Sequence, residues 1–217
     1  MSRVVDAKGR DLQSVSQELR EAAAQDAVTL RNADHLHGLA AGMKSGEVTI
    51  QGDAGDYLGA VNDGATIHVL HNAGRYLADN MTQGTVIVDG SVGYGAGAYC
   101  YGGTVVVNGD AGDFAAVMNK GASIIIKGSV GDEVATYMLA GDLVIGGDAG
   151  QNLGNYLIRG NIFVGGAWQS LGHNTQVQEL TPADIARLRG LMEQYGIEGD
   201  PASFKKIVRL SEKPFYN

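Results

Sequence analysis

Residues 46–56 have the sequence GEVTIQGDAGD, and residues 103–113, 57 positions later, have the sequence GTVVVNGDAGD. The same pattern recurs between and beyond these segments: a glycine, apolar residues at alternate positions, and a small-residue turn such as GDAG or GSVG. The glycines that open the units follow one another at steps of 18, 20, 19, 18, 20 and 19 residues: Gly46, Gly64, Gly84, Gly103, Gly121, Gly141 and Gly160. A fixed period of this size is typical of solenoid folds.

Aligning the units at this period groups side chains of the same chemistry. Period-2 alternation predicts two inward-facing positions in the first strand of each unit. The first position holds Val48, Ile67, Val86, Val105, Ile124, Leu143 and Ile162. The second holds Ile50, Val69, Val88, Val107, Ile126, Ile145 and Val164. A later position is confined to glycine or alanine, which predicts a narrow interior: Gly59, Ala78, Gly97, Ala116, Ala135 and Gly154.

Two further positions lead to more detailed expectations. A glycine follows each small apolar corner residue, and we expect positive φ there: Gly55, Gly74, Gly93, Gly112, Gly131 and Gly150. The last apolar position holds Val61, Met81, Cys100, Met118, Met138 and Leu157 if the 18-residue units lose one residue just before it. This register places Asn119 outside the core.

The predicted fold class is all-β: a single-stranded, right-handed parallel β-helix of about seven coils of 18–20 residues, with an N-terminal helix and a C-terminal helical cap. A coil this short cannot hold a strand, a helix and two turns, and parallel crossovers are overwhelmingly right-handed. The predicted domains are an N-terminal helical cap (1–27), the β-helix (28–174), and C-terminal helices with a tail (175–217). Residues 28–45 are interpreted as a worn eighth coil.

The two ends carry helix signals, because terminal coils expose strand edges that need covering. Asp11 is the predicted N-cap of a helix over 11–24. Thr181 and Asp184 form a capping-box pattern, and Gly196 ends that second helix. Asp200 is expected to start a short third helix that runs through Ile207. Residues 212–217 are expected to form an extended tail.

Composition limits the classes of function. The 217-residue chain contains 33 glycines, yet 44% of its residues are hydrophobic, which excludes a disordered chain. A net charge of −8 argues against binding to nucleic acid or anionic membranes. The single cysteine, Cys100, fits a reducing compartment, and residues 1–20 contain no apolar signal segment. We therefore expect a soluble, cytoplasmic protein.

Several motifs resemble functional sites, but each has a simpler structural interpretation. Residues 93–97 (GYGAG) lack the following helix that a phosphate-binding loop requires, so the glycines are assigned to coil corners. Asp53, Asp110 and Asp148 alternate with Asn or Ser in other coils, which favours turn hydrogen bonding over calcium binding.

The histidines and the cysteine also have simpler structural interpretations. His35 with His37, and His68 with His71, have no third ligand at a recognisable spacing, so a metal site is not expected. Cys100 falls at an apolar position and is predicted to be buried and inert. No catalytic, cofactor-binding or metal-ligating residue is predicted in this chain. The tyrosines Tyr94, Tyr99, Tyr101, Tyr137 and Tyr156 are candidate partner contacts, with aromatic stacking between coils as the equal alternative.

The repeated GDAG and GSVG turns, the literal G-x-G-x-G at Gly93, Gly95 and Gly97, and the PASFKKIV segment at 201–208 resemble the GXGXG family. That family comprises the C-terminal β-helix domain of the glutamate synthase large subunit and free-standing relatives. The resemblance covers about residues 28–210. It implies a structural subunit, with no assigned catalytic residue, between an amidotransferase-like subunit and an FMN-containing synthase subunit.

Within the family, the chain most resembles the separate β-helix subunit of three-part glutamate synthase-like enzymes such as N-methylglutamate synthase (methylamine–glutamate N-methyltransferase). The resemblance implies no cofactor in this chain and FMN in a partner subunit. The alternative is the GXGXG-containing subunit of formylmethanofuran dehydrogenase or of the related formyltransferase/hydrolase complex. An independent enzyme or ligand-binding β-helix is the third hypothesis.

Overall fold

A computed structural model describes residues 3–213 and shows a parallel β-solenoid of about seven turns with two α-helices. The strands are β1 (Arg3–Asp6), β2 (Val28–Arg31), β3 (Glu47–Gln51), β4 (Asp63–Val69), β5 (Gln83–Val88), β6 (Thr104–Val107), β7 (Lys120–Ile126), β8 (Ala140–Ile145), β9 (Asn161–Val164), β10 (Thr175–Gln178) and β11 (Lys205–Arg209). The helices are α1 (Leu12–Ala23) and α2 (Pro182–Tyr195). One sheet contains β1 to β9 in chain order, followed by β11 and then β10.

The predicted parallel β-helix is confirmed. Strands β1 to β9 pair in parallel, and every member of the two inward positions is buried. The small apolar corner residues form a second line of parallel bridges from Ala54 to Trp168. The eighth coil is also real, because β2 pairs in register with β3. The tail prediction for 212–217 lies mainly outside the described residues.

Positive φ occurs in a different place from the one predicted. None of the corner glycines from Gly55 to Gly150 has it; they are small because a Cβ would lie no more than 3.2 Å from an atom of the preceding coil. At Gly74 and Gly131 that overlap would be with an aspartate carboxylate. Left-handed backbone instead recurs at alternate residues of the next segment, as at Tyr57, Gly59 and Val61 in one coil.

The predicted register of the last apolar position is wrong for two coils. Strand partners from β3 to β9 are 19 residues apart, except that Asp63 pairs with Gln83 and Lys120 with Ala140 just before the two irregularities. At this 19-residue period the position is occupied by Asn62, Met81, Cys100, Asn119, Met138 and Leu157. Val61 is therefore exposed, and Asn119 is fully buried rather than outside the core. Apparent 18-residue steps arise because β4 and β7 contain register irregularities beside Gly64 and Gly121.

The buried asparagines replace missing backbone partners at these irregularities. Asn119 Nδ2 donates to the Ala122 carbonyl at 2.9 Å, and its Oδ1 accepts from the Ala122 N–H at 2.9 Å. Asn62 makes the same pair of bonds to Ala65, at 2.9 and 3.0 Å. A buried peptide group without a partner is costly, so polar side chains at an otherwise apolar position are required here.

Both ends of the solenoid are covered. Asp11 caps α1 as predicted, and the apolar face of this helix, including Val15 and Leu19, joins the solenoid core. At the other end the predicted third helix is wrong: only a 3-10 turn (Pro201–Ser203) forms, followed by β11. Since β11 pairs antiparallel with β9, it supplies the hydrogen bonds that the last coil would otherwise lack.

Helix α2 lies against the flank of the sheet rather than across its end. Its Leu188 and Met192 pack on the outward residues of β6 to β9. Those outward residues are apolar where the helix covers them: Val106, Ile125, Val144 and Phe163. Thr181 caps α2 in a full capping box and Gly196 ends it in the left-handed conformation, both as predicted. Burial alone would raise the pKa of Asp184, but hydrogen bonds from Lys206 and Thr181 lower it to about 2.

Replacing Gly97 by Leu should destabilise the fold more than replacing Gly9 by Leu. The two glycines have nearly the same φ, +65° and +66°, so the backbone cost is matched. A Cβ at Gly97 would lie 2.7 Å from Ile124 Cδ1, whereas one at Gly9 would meet nothing within 4 Å. We expect an extra cost of about 1–3 kcal/mol for Gly97→Leu, measured by chemical unfolding. Equal midpoints for the two variants would contradict the narrow interior.

Replacing Asn119 by Met should also be destabilising, although Met occupies the same position in neighbouring coils. The variant leaves the buried N–H of Ala122 without its acceptor, at about 1–3 kcal/mol, and removes the asparagine donor from the Ala122 carbonyl. Met138→Leu is the matched control at this position and should cost less than about 1.5 kcal/mol. Unfolding free energies of Asn119→Met close to wild type would show that Asn119 has no structural role.

Candidate interaction surface

The corner of each coil carries a ladder of polar side chains, called here the first ladder. Each side-chain oxygen accepts from the backbone N–H of the equivalent residue in the next coil, at 2.7–3.1 Å. Its members are Asp53, Asn72, Ser91, Asp110, Ser129 and Asp148. The hydrogen-bonding role predicted for these residues is confirmed, but the bonds join neighbouring coils instead of closing turns within one coil.

A second ladder runs three residues later in each coil. Asp56 Oδ1 accepts from the Arg75 N–H at 2.7 Å, and Asp113 Oδ1 accepts from the Asp132 N–H at 2.9 Å. His37 belongs to this ladder, since its Nδ1 accepts from the Asp56 N–H at 2.9 Å. Together the ladders explain most of the surface Asp residues at the corner through structure alone.

An exposed patch of apolar and aromatic side chains follows the corner along the coils. We call Val61, Tyr99, Tyr101 and Lys120 the tyrosine face. Val61 is 51% and Tyr101 55% exposed, high values for side chains of this type. Val61 and Tyr99 occupy the same position two coils apart, so the face extends over roughly 10 Å along the solenoid.

Lys120 gives the tyrosine face its charge. Its Nζ lies 3.9 Å from the centre of the Tyr101 ring and 5.8 Å from that of Tyr99, within cation–π range. Asp79, half-buried nearby, has a pKa raised by its burial. Lys120 is not ion-paired within residues 3–213, so the ammonium group is held over the aromatic rings and remains available to an external acceptor.

The remaining candidate tyrosines belong to aromatic stacks. Tyr76 stacks on Tyr57 with centroids 4.8 Å apart, and Tyr94 contacts both Tyr76 and Phe114 at 5.3 and 5.0 Å. Tyr137 and Tyr156 are parallel at 5.2 Å. Thus stacking between coils accounts for Tyr94, Tyr137 and Tyr156, while Tyr99 and Tyr101 stay on an exposed face.

Three of the histidines have different hydrogen-bond partners. His35 Nε2 is 3.1 Å from the Arg10 carbonyl, His37 belongs to the second ladder, and His68 Nε2 is 2.9 Å from Asp89 Oδ1. Within the described part of the chain, no three His, Cys, Asp or Glu side chains are arranged to hold a metal ion.

Cys100 is fully buried, as predicted, and its Sγ is 3.1 Å from the Ala78 carbonyl. Burial raises the pKa of the thiol to about 12, so it stays protonated at neutral pH. Residues 93–97 include the left-handed Gly95 and Gly97 and are followed by Tyr99 and then β6, with no helix that could place its N-terminus against a phosphate. Across residues 3–213, neither helix is long and apolar enough to span a membrane.

Replacing His35 and His37 together by Ala should leave the metal content of the purified protein unchanged. The contacts above give both rings hydrogen-bonding roles with the backbone. Elemental analysis of wild type and variant is the measurement. Stoichiometric zinc or iron that is present in the wild type and lost in the variant would overturn this interpretation.

Comparison of the amino-acid sequence with those of known proteins agrees with the solenoid fold. Curated protein sequences give no significant match to the chain. A family model described as "GXGXG motif" matches residues 97–209, more than half of the chain. The matched region runs from the middle of the left-handed segment of one coil to the last residue of β11. The chain therefore belongs to the GXGXG motif family.

Proposed function

We propose that this chain is a non-catalytic structural subunit of a glutamate synthase-like flavoenzyme assembly. It bridges an amidotransferase-like subunit and an FMN-containing synthase subunit, and N-methylglutamate synthase is the assembly we favour. In this proposal FMN is bound by a partner and the assembly is cytoplasmic. Membership of the GXGXG motif family is consistent with a glutamate synthase-like domain.

The observation that carries the proposal is the tyrosine face. Tyrosine is enriched at protein interfaces because it combines a large apolar ring with a hydrogen-bonding group, and it loses little conformational entropy on binding. Tyr101 is more than half exposed although its ring is already held by Lys120. A side chain ordered before binding costs less to immobilise in a complex.

The backbone beneath the tyrosine face is also fixed, because it is hydrogen-bonded to both neighbouring coils. In the coil of Tyr99, the Tyr99 N–H donates to the Val117 carbonyl of the next coil, and the Gly97 N–H donates to the Leu77 carbonyl of the previous one. The N–H groups of every second residue thus donate alternately to the next coil and to the previous coil. A surface fixed in this way suits a subunit that holds two others at a constant separation.

Reconstitution tests the proposal. The isolated chain should be colourless, without flavin absorbance, and should lack glutaminase and synthase activities. Mixed with the amidotransferase-like and FMN subunits, it should form one large complex whose coupled activity disappears when this chain is omitted. Full coupled activity of the two partners alone, or stoichiometric FMN binding by the isolated chain, would exclude the scaffold role. Co-purification with formyltransferase-type subunits would instead favour the formyl-transfer complex.

The interface part of the proposal is tested with Tyr101→Ala. Truncation of an aromatic hot spot typically costs about 2 kcal/mol or more, so assembly affinity should fall roughly 30-fold. Leu70→Ala is the matched control, because Leu70 is also an exposed apolar residue, at 37%, outside the tyrosine face. Light scattering or sedimentation gives the affinities, and an equal loss for both variants would place the interface elsewhere.

A further inference from the structure

The second ladder is interrupted at two successive coils. The position that holds His37, Asp56, Asp113 and Asp132 elsewhere holds Arg75 and Tyr94, whose side chains offer no acceptor to the next coil. As a result, the backbone N–H groups of Tyr94 and Asp113 have no hydrogen-bond partner within residues 3–213. The equivalent N–H groups of Arg75 and Asp132 donate to carboxylates.

A cleft of about 540 Å³ opens at this interruption, called here the corner cleft. It is lined by Arg75, Tyr76, Gly93, Tyr94, Gly112 and Asp113. The Arg75 side chain is exposed and forms no ion pair in the described chain, so its guanidinium is free to bind an acceptor. Asp113 is the acidic group of the lining, and its Oδ1 is engaged by the Asp132 N–H.

The glycines of the corner cleft show that space is left where an acceptor is missing. At Gly74 and Gly131, an added Cβ would meet the carboxylate of Asp56 or Asp113. At Gly112 the nearest atoms are backbone atoms of Gly93 and Tyr94, at 3.1 Å, and at Gly93 the nearest is Arg75 Cγ at 3.2 Å. No side-chain oxygen of the described chain takes the place that the ladder carboxylate fills in other coils.

We propose that the corner cleft binds a carboxylate ligand, which replaces the missing ladder carboxylates. One ligand oxygen accepts from the Tyr94 N–H while the guanidinium of Arg75 supplies the charge-assisted contact. Arginine is well suited to this role because its planar fork matches a carboxylate. The neighbouring ladder bonds of 2.7–2.9 Å show the geometry that such an oxygen would adopt.

The spacing of the donors defines the ligand further. The Tyr94 and Asp113 N–H groups belong to successive coils, so they are separated by about 4.8 Å. This exceeds the distance between the two oxygens of one carboxylate. A ligand with a second acceptor about one coil away can engage both donors, with Tyr76 and Tyr94 as an aromatic wall beside it. A small free dicarboxylate meets this requirement, and so does an acidic side chain with its backbone carbonyl on a partner protein.

Amide chemical shifts of the isotope-labelled full chain test the site. Succinate represents the free source, and the blocked tripeptide acetyl-Gly-Glu-Gly-amide represents a protein-borne carboxylate. We expect one of the two to shift the Tyr94 and Asp113 amide signals saturably, and the tighter probe identifies the source. Chloride at matched ionic strength should not do so, and acetate, which has one carboxylate, should bind more weakly than succinate.

Variants of Arg75 separate specific binding from a general charge effect. Arg75→Ala should weaken the tighter probe about tenfold or more, because the charge-assisted contact is lost. Arg159→Ala, which removes an exposed arginine elsewhere on the solenoid, should leave binding unchanged. Arg75→Asn should abolish binding and protect the Tyr94 amide from hydrogen exchange, because an asparagine already accepts across coils in the first ladder.

The same measurements can overturn the proposal. Without ligand, the Tyr94 and Asp113 amides should exchange faster than those of Arg75 and Asp132, and equal protection would show that the donors are occupied. Absence of saturable shifts with both probes, or unchanged binding in Arg75→Ala, would also refute the site. These outcomes are independent of reconstitution with partner subunits, so the carboxylate site and the scaffold role can fail separately.

Discussion

Hydrogen bonding between successive coils is the constraint on which this structure depends. Most peptide groups of a coil bond to the coil before it or the coil after it, because buried N–H and C=O groups need partners and the neighbouring coils lie alongside. In the strands this is ordinary parallel pairing. In the segment from Tyr57 to Val61 and its equivalents, the N–H groups of every second residue donate alternately to the next and to the previous coil, and intervening groups such as the Ala60 N–H bond within the coil. Residues such as Tyr57, Ala78 and Tyr99 keep positive φ despite a cost of about 1–2 kcal/mol each, since both neighbouring coils hold the same conformation.

The same constraint explains which features of the fold could be predicted from the sequence. Inward positions such as Val48 and Ile50 follow from alternation, and their repetition in every coil identifies a parallel β-helix. Helix caps at Asp11 and Thr181 follow from local chemistry. The left-handed backbone could not be assigned, because Tyr57 and Val61 are residue types that normally avoid it. The corner glycines wrongly suggested positive φ at the corner. At Gly74 the glycine is required because the backbone lies close to the Asp56 carboxylate.

At Asn119, a glycine displaced by one residue obscured the regular 19-residue period of the coils. Gly121 lies one residue earlier than a strict 19-residue period requires, which suggested a shorter coil. In the structure the period is kept, and the displaced glycine belongs to an irregularity in β7 whose peptide group is bonded by the asparagine. The polar residue was the available signal, since both coils with an early glycine carry Asn at the same position. Similarly, three successive apolar residues at 124–126 signalled the outer contact with α2, which alternation alone does not predict.

A strictly repeating fold also makes its exceptions informative. Most surface polar residues at the corner are explained by the two ladders, so they give no evidence of binding. Arg75 and Tyr94 are different, because they occupy ladder positions and cannot do what the ladder residues do. Stacking on Tyr76 and Phe114 accounts for Tyr94, but no ion pair within residues 3–213 accounts for Arg75, and the neighbouring coils show that Asp serves the backbone better at this position. Deviation from the repeat therefore identifies Arg75 as the residue of the corner whose side chain the fold does not use. The tyrosine face deviates in the same sense, because apolar side chains there are left exposed whereas the apolar residues under α2 are covered.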